Sequence, residues 1–180
     1  MGFPKALLPY RGESFLDTLT GLLAGVCSPV IVVLGAEAGR IQSNAARPAL
    51  FVRNVEYSRG QTSSLQCGLL AVPESAEGVL FTLVDHPAVS LATVERLLTP
   101  VASERLRIPR FQGRKGHPVW FARELIAEFL ALDVHGAARD VVRAHAAETK
   151  FIDVDDPGVV ADIDDSDAYR RLMEMPGASL

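Results

Sequence analysis

The residue that most clearly points to chemistry is Asp85, a carboxylate placed directly after an apolar segment. Val79–Val84 is short and rich in β-branched and aromatic residues, which predicts a strand buried on both faces. Pro87 cannot continue a strand ladder, so we expect the strand to end near Asp85. Ligands of open α/β sheets bind beyond the carboxyl ends of the strands, where a carboxylate can hold Mg²⁺ and, through it, phosphates. The alternative is that Asp85 caps the next helix or stabilises a turn.

A second group of carboxylates lies in the acidic segment 153–167. Asp162 and Asp164 flank Ile163, and a short extended segment would direct both carboxylates to the same side. If that side faces Asp85, the three groups could hold one divalent cation against a nucleotide polyphosphate. An EF-hand loop is rejected, because it would place a proline at a ligand position and an aspartate where a bidentate glutamate belongs. A solvated acidic loop is the expectation for Asp155, Asp156 and Asp165.

The remaining candidate groups are weaker when taken singly. Lys5 alone is typical of a surface lysine, and His117, between Gly116 and Pro118, is typical of a structural turn. His86 and His135 have no motif that assigns them a catalytic role. We find no spacing typical of a catalytic triad, and neither a phosphate-loop nor a dinucleotide glycine fingerprint.

Composition limits the possible functions. The chain has 180 residues, a formal net charge of −4, 48% hydrophobic residues and 22% charged residues. The net charge argues against general nucleic-acid binding, and no apolar run approaches the ~20 residues of a membrane-spanning helix. Cys27 and Cys67 lack metal-ligand spacing and are expected to be reduced, in or near the core of a cytoplasmic protein.

Strand and helix patterns alternate along the chain, which predicts one α/β domain over residues 1–180, with a parallel sheet covered on both faces. Helices are expected to begin at Ser14 and Ser90, with others around 65–72, within 119–132, after Gly136 and around 169–172. Strands are expected at 30–34, 49–57, 79–84, 107–111 and 150–154. Residues 112–118 are expected to form a basic, glycine-rich loop.

Five short motifs occur in an order and approximate spacing that resemble the MocA-like nucleotidyltransferases, within the larger MobA-like group. They are Gly2–Pro9, Gly60–Leu65, Leu83–Pro87, Gly116–Val119 and Asp162–Asp164. The resemblance extends over essentially the whole chain. It implies a three-layer Rossmann-like nucleotidyltransferase fold with a mostly parallel central sheet.

The resemblance also implies a reaction. The terminal phosphate of a molybdopterin cofactor would attack the α-phosphate of CTP and release pyrophosphate. Lys5 and Asp85 would be catalytic, with Lys5 also neutralising the polyphosphate, and Mg²⁺ would be held by Asp85 with Asp162 or Asp164. The nucleoside would contact Gln61, Ser63 and Ser64, and the pterin substrate would contact Arg114, Lys115, Gly116 and His117.

Alternatives to this specific reaction remain open. The cytidine preference rests mainly on the Gln61–Leu65 and Gly116–Pro118 segments, so GTP or another phosphorylated acceptor is a close variant. A non-catalytic protein that binds the molybdenum cofactor and delivers it to a client molybdoenzyme is the alternative from another class.

The chain departs from the family pattern at its beginning. Met1 stands where a segment of the form Met-Gly-x-Pro-Lys begins, whereas family members first have a buried strand and a small glycine-rich loop with an arginine. That strand is expected beside the one ending at Asp85, and its loss would leave backbone groups unpaired in the interior. Either Met1 is an internal methionine chosen as the start, or the protein is a shortened relative. A monomer is expected.

Overall fold

Strands and helices alternate along most of the chain, as the hydrophobic pattern predicts. The structure is a computed structural model that describes residues 3–99, 104–133 and 136–175. The strands are β1 (Pro9–Tyr10), β2 (Glu13–Ser14), β3 (Ile31–Leu34), β4 (Leu50–Arg53), β5 (Gly78–Phe81), β6 (Leu106–Phe111), β7 (Arg114–Lys115), β8 (Val119–Ala122) and β9 (Thr149–Asp153). The helices are α1 (Phe15–Ala24), α2 (Ala38–Asn44), α3 (Gln61–Leu69), α4 (Leu91–Leu98), α5 (Ile126–Leu130), α6 (Ala138–Ala144) and α7 (Ser166–Glu174). The α/β class is confirmed.

The main strands form two hydrogen-bonded groups. β3 and β4 pair in parallel, with Ile31 opposite Leu50. The larger sheet has the order β5–β8–β6–β7, and β9 pairs in parallel with β6. β8 is antiparallel to both β5 and β6, so β5, β6 and β9 run in one direction and β8 runs against them.

The helices cover the sheet on two faces, and alternate residues of β5 show this directly. Val79 and Phe81 pack in one apolar cluster, with residues of α3, α5 and α6. Leu80 packs in another, with residues of α1 and α4. Successive side chains of a strand point to opposite faces, so the sheet is the middle one of three layers. Among the described residues, no helix is long and apolar enough to cross a membrane.

β8 was not expected from the sequence, and neither were the two-residue strands β1, β2 and β7. A helix was expected within 119–132, and the apolar residues near 125–130 do form a 3₁₀ turn and α5. Val119–Ala122 instead pairs with β5, with Trp120 opposite Leu80. Its β-branched and aromatic residues suit a pleated, half-buried surface, which a helical periodicity alone does not reveal.

An apolar cavity of about 400 Å³ separates β3 from β5. Within the described part of the chain, β3 pairs only with β4 and β5 pairs only with β8, so the edges that face this cavity have no strand partner. Ala6, Leu34 and Val84 share one apolar cluster, so the carboxyl ends of β3 and β5 meet at the same edge. We call this space the β3–β5 slot. It lies beside the strand leading to Asp85, where the resemblance places a further strand.

Candidate functional site

Asp85 lies just beyond the carboxyl end of β5, as the sequence predicts. Its side chain is 18% exposed, and Oδ2 accepts a hydrogen bond of 3.4 Å from Nζ of Lys5. Its other oxygen, Oδ1, is buried and has no hydrogen-bond partner. The backbone N–H of Ile163 donates to the Asp85 carbonyl at 3.3 Å and aligns the 162–164 segment beside it. A buried carboxylate oxygen without a donor is costly unless a cation approaches it.

His86 belongs to the same cluster, although the sequence gives it no role. Asp85, His86 and Asp162 each offer one ligand atom, and these atoms lie within 4.8 Å of one another. The His86 side chain is buried, with Nε2 at 3.9 Å from Oδ1 of Asp85 and with Nδ1 lacking a partner. Two carboxylates and an imidazole are a donor set that suits a divalent cation such as Mn²⁺ or Mg²⁺.

Lys5 joins this cluster to Asp164. Its Nζ donates a 2.5 Å hydrogen bond to Oδ1 of Asp164, whose side chain is 73% exposed. Burial lowers the pKa of Lys5, but the hydrogen bond to Asp164 and the charges of Asp85 and Asp164 outweigh burial and raise it. The same bond lowers the pKa of Asp164. The pKa of Asp162 is raised by burial and by the neighbouring charges of Asp85 and Asp164.

The segment 162–164 has the alternation that its sequence predicts. Ile163 is buried at 2% exposure in an apolar cluster with Tyr10 and Phe15, whereas Asp162 and Asp164 are exposed. Asp162 reaches the metal-ligand cluster, and Asp164 is engaged by Lys5. Asp164 is not part of the candidate metal-ligand group, and the metal roles of Asp85, Asp162 and Asp164 all stay predictions.

Gly116 and His117 are fixed by backbone contacts. The N–H of Gly116 donates to the Pro109 carbonyl at 3.0 Å, and that of His117 donates to the Val159 carbonyl at 2.9 Å. A Cβ at position 116 would overlap the Val159 carbonyl, so the close approach requires glycine. The His117 ring lies 5.0 Å from that of His86, between ring centroids. Burial, together with His86, lowers the pKa of His117 to about 4, so this imidazole is neutral at pH 7.

The predicted nucleoside contacts lie at the start of α3. Nδ2 of Asn54 donates to the hydroxyls of Ser63 at 2.9 Å and Ser64 at 3.0 Å. Asn54 is buried, and its backbone N–H donates to the Leu34 carbonyl at 2.8 Å, which ties α3 to the end of β3. Gln61 and Ser64 line the β3–β5 slot. The ordering role of Asn54 was not expected from the sequence, because it depends on hydrogen bonds to residues 9 and 10 positions away.

The basic pair Arg114–Lys115 forms β7, which pairs with the end of β6. Nζ of Lys115 lies 4.5 Å above the ring centroid of Phe151, a cation–π contact that engages this lysine. Arg114 lines a cleft of about 690 Å³ that also includes Asp162. The structure therefore places Arg114 and one metal-ligand candidate on the same cleft.

The prediction that Asp156 is solvated is wrong. Asp156 is 8% exposed. Its carboxylate accepts hydrogen bonds from the backbone and hydroxyl of Ser90, from the Thr93 hydroxyl and from the Gly158 N–H, at 2.6–2.9 Å. These bonds join the start of α4 to the turn that precedes Asp162. The spacing of acidic residues could not reveal this, because the donors of Ser90 and Thr93 lie more than 60 positions away in the sequence.

Comparison with known proteins places this geometry in a wider group. Residues 1–149 match the MobA-like NTP transferase domain. Nicotine blue oxidoreductase of Paenarthrobacter nicotinovorans is 33% identical over 182 residues, covering 94% of this chain and 88% of that protein. Molybdenum cofactor cytidylyltransferase of Escherichia coli is 20% identical over 176 residues, covering 97% and 89%.

Solved structures share the fold. Rv0371c from Mycobacterium tuberculosis has a TM-score of 0.80 and 28% identity, covering 98% of this chain and 92% of that one. Its complex with manganese has a TM-score of 0.76 and 29% identity, with coverages of 97% and 94%. A nucleotidyl transferase from Methanothermobacter has a TM-score of 0.81 at 22% identity, covering 94% and 83%, which supports the fold alone. A relative with this fold thus binds a divalent cation, and this chain has a ligand cluster suited to one.

Proposed function

Because the chain belongs to the MobA-like NTP transferase family, we propose that it transfers CMP from CTP to the terminal phosphate of a molybdopterin-type cofactor. The observation that supports this most strongly is the Asp85–His86–Asp162 cluster, which lies beside Lys5. One of its members, Asp162, lines the same cleft as Arg114. An oxygen of the acceptor phosphate attacks the α-phosphorus of CTP, a new P–O bond forms, and the bond to the bridging oxygen breaks. Pyrophosphate leaves with that oxygen and its electron pair.

The described residues fit a divalent cation, and we propose that it is Mg²⁺ in the active protein. The buried, unpartnered Oδ1 of Asp85 is the atom that most needs a cation, and Asp162 and His86 complete the donor set. When bound, such an ion neutralises phosphate charge and polarises the reacting phosphoryl group. If the Lys5 ammonium moves from Asp164 to the nucleotide, the Asp164 carboxylate becomes free to act as an additional metal ligand.

The protein residues position the reactants and neutralise charge. Lys5 holds its ammonium 3.4 Å from Oδ2 of Asp85 and, in this proposal, stabilises negative charge on the departing pyrophosphate. Gln61 and Ser64, at the start of α3, contact the nucleoside, and Asn54 holds the hydroxyls of Ser63 and Ser64 in place. His117 stays neutral and packs against His86, and Lys115 and Gly116 complete the acceptor side.

Base choice and reaction are tested together. CTP and GTP are titrated calorimetrically into the chain with Mg²⁺ and again with EDTA, and pyrophosphate release is measured with the molybdopterin cofactor present. We expect CTP binding that depends on Mg²⁺, and release that requires the cofactor. Preferential binding of GTP would mean that the protein transfers GMP from GTP, the close variant of the proposed reaction. Binding of the cofactor without nucleotide binding would support the non-catalytic delivery role toward a molybdoenzyme.

The proposed location is the cytoplasm, where the nucleotide is made.

A second candidate is an oxidoreductase activity, because the relative with 33% identity is a nicotine blue oxidoreductase. Reduction of a dye requires an electron donor, so the assay follows NADH or NADPH absorbance at saturating dye. Loss of absorbance that depends on both dye and protein would favour this candidate. An unchanged absorbance, with pyrophosphate release in the first assay, would favour the transferase.

A further inference from the structure

Three arginines from separate elements line the cleft of about 690 Å³ beside Asp162. Arg11 lies in the turn between β1 and β2, Arg114 lies in β7, and Arg171 lies in α7. These elements come from the beginning, the middle and the end of the chain, so their convergence depends on the tertiary fold. Only Arg114 is indicated by the motifs of the sequence.

Arg11 is held in place by several contacts. It has a φ of +50° and Gly12 has a φ of +90°, which form the tight turn of the β1–β2 hairpin. Its guanidinium carbon lies 4.9 Å from the ring centroid of Tyr10, and its Nη2 donates to the Met175 carbonyl at 3.2 Å. Arg11 is therefore ordered at the cleft while retaining further donors.

Arg114 and Arg171 differ from other arginines close to them in sequence, because they form no ion pair within the described residues. Within the part of the chain that the structure describes, no carboxylate lies within ion-pair distance of either one. By contrast, Arg170 pairs with Asp167 at 3.2 Å, and Arg110 pairs with Asp153 at 2.7 Å.

The acidic residues of the same cleft do not balance these arginines. Asp156 is satisfied by its bonds to Ser90, Thr93 and Gly158, and Asp162 belongs to the metal-ligand cluster. Asp155 is exposed. The arginines are thus available for an anion that enters the cleft.

We propose that this cleft binds the phosphate monoester end of the acceptor through Arg11, Arg114 and Arg171, a proposal that rests on the transferase function. A phosphate monoester carries about −1.5 to −2 charges and three acceptor oxygens, which guanidinium groups match with paired N–H donors. Asp162 lines the cleft and also belongs to the candidate metal-ligand cluster, so a phosphate held in the cleft beside Asp162 would lie next to that cluster. A volume of about 690 Å³ also accommodates the organic part of a drug-sized molecule.

The test uses phenyl phosphate as the probe and phenol as the uncharged control, titrated calorimetrically into the full chain. The variants are Arg11→Gln, Arg171→Gln and their double variant, with Arg170→Gln as the matched control on α7. We expect each single variant to weaken phenyl phosphate binding about tenfold, the double variant to weaken it further, and Arg170→Gln to stay within about twofold. Unchanged affinity in the double variant, or an equal loss in Arg170→Gln, would overturn the proposal.

Titration of CTP with Mn²⁺ into the same proteins separates the cleft from the transferase function. We expect CTP affinity to be the same in wild type and arginine variants. If no nucleotide binds but the phenyl phosphate losses appear, the cleft assignment holds and the transferase function fails. If CTP binds and phenyl phosphate is insensitive to the variants, the cleft assignment fails. If CTP affinity falls in the arginine variants, these residues serve the nucleotide and the proposal is wrong.

Discussion

Nζ of Lys5 donates a hydrogen bond of 2.5 Å to Oδ1 of Asp164, although the two residues are 159 positions apart. This bond joins the first turn of the described chain to the segment before α7. It also separates two aspartates that the sequence treats as equivalent, because Asp162 reaches the metal-ligand cluster and Asp164 is neutralised by Lys5.

Divalent-cation binding should therefore depend on His86 and Asp162 more than on Asp164. We expect His86→Asn and Asp162→Asn to weaken Mn²⁺ binding at least tenfold, and Asp164→Asn to weaken it less than threefold, because loss of a ligand costs more than loss of an outer charge. Mn²⁺ electron paramagnetic resonance measures the free ion directly. A larger loss of Mn²⁺ affinity in Asp164→Asn than in His86→Asn would contradict this ranking and would favour the ligands predicted from the sequence, Asp85 with Asp162 or Asp164.

Lys5 should act on turnover more than on metal binding. Lys5→Met is expected to lower kcat by about 10²–10³-fold, the usual effect of removing one donor that stabilises developing charge. Mn²⁺ affinity should be unchanged or slightly higher, because a positive charge leaves the cluster. Lys150→Met is the control, since Lys150 pairs with Glu104 and lies on β9. An undiminished kcat in Lys5→Met would exclude Lys5 from the reaction.

Asp156 should be essential for stability. Replacing it with alanine leaves donors of Ser90, Thr93 and Gly158 without their buried acceptor, so we expect a loss of about 2–4 kcal/mol in the free energy of unfolding. Asp155→Ala is the matched control, because Asp155 is exposed, and should change stability by less than about 0.5 kcal/mol. Urea denaturation measures both. Equal effects of the two substitutions would mean that the bonds to Asp156 are energetically unimportant.

His145 should make stability depend on pH. Both of its ring nitrogens lie 2.7 Å from carboxylate oxygens, Nε2 from Glu128 and Nδ1 from Glu148. These hydrogen bonds, first to Glu128 and then to Glu148, raise the pKa of the imidazole. A group whose pKa is raised on folding stabilises the protein fully below its unfolded pKa of about 6.5 and loses this effect as pH rises through the folded pKa.

The contribution of His145 is measured by comparing wild type with His145→Gln in urea at pH 5.5 and pH 8.5. We expect the wild type to be more stable by up to about 1 kcal/mol at pH 5.5, with a smaller difference at pH 8.5, since partly exposed ion pairs contribute little. A difference that grows with pH would contradict the assigned direction.

The sequence predicts much of this fold because its local signals agree with the tertiary structure. Ser14 and Ser90 do cap α1 and α4, with Oγ atoms that accept from Asp17 and Thr93. The strand before Asp85 was also predicted, although β5 ends at Phe81 and residues 82–84 continue without strand pairing. Such elements are recognisable because the hydrophobic period and the capping residue both lie within one short segment.

The features that the sequence did not reveal depend on distant partners. His86 has no local motif, and its importance follows from the approach of Asp162, 76 positions later. Asp156 looks like any residue of an acidic loop until the donors of α4 surround it. Arg11 and Arg171 are single cations in unrelated segments, and only the fold brings them to one cleft.

The most direct test of the central claim is the Mn²⁺ dependence of CTP binding in wild type and Asp85→Asn. Calorimetry is performed with Mn²⁺ and with EDTA. Asp153→Asn serves as the control, because Asp153 pairs with Arg110 and is not a member of the candidate metal-ligand cluster. We predict that wild type and Asp153→Asn bind CTP only with Mn²⁺, and that Asp85→Asn loses this binding. CTP binding that persists in EDTA, or that survives in Asp85→Asn, would contradict the assignment of Asp85 to a metal–nucleotide site.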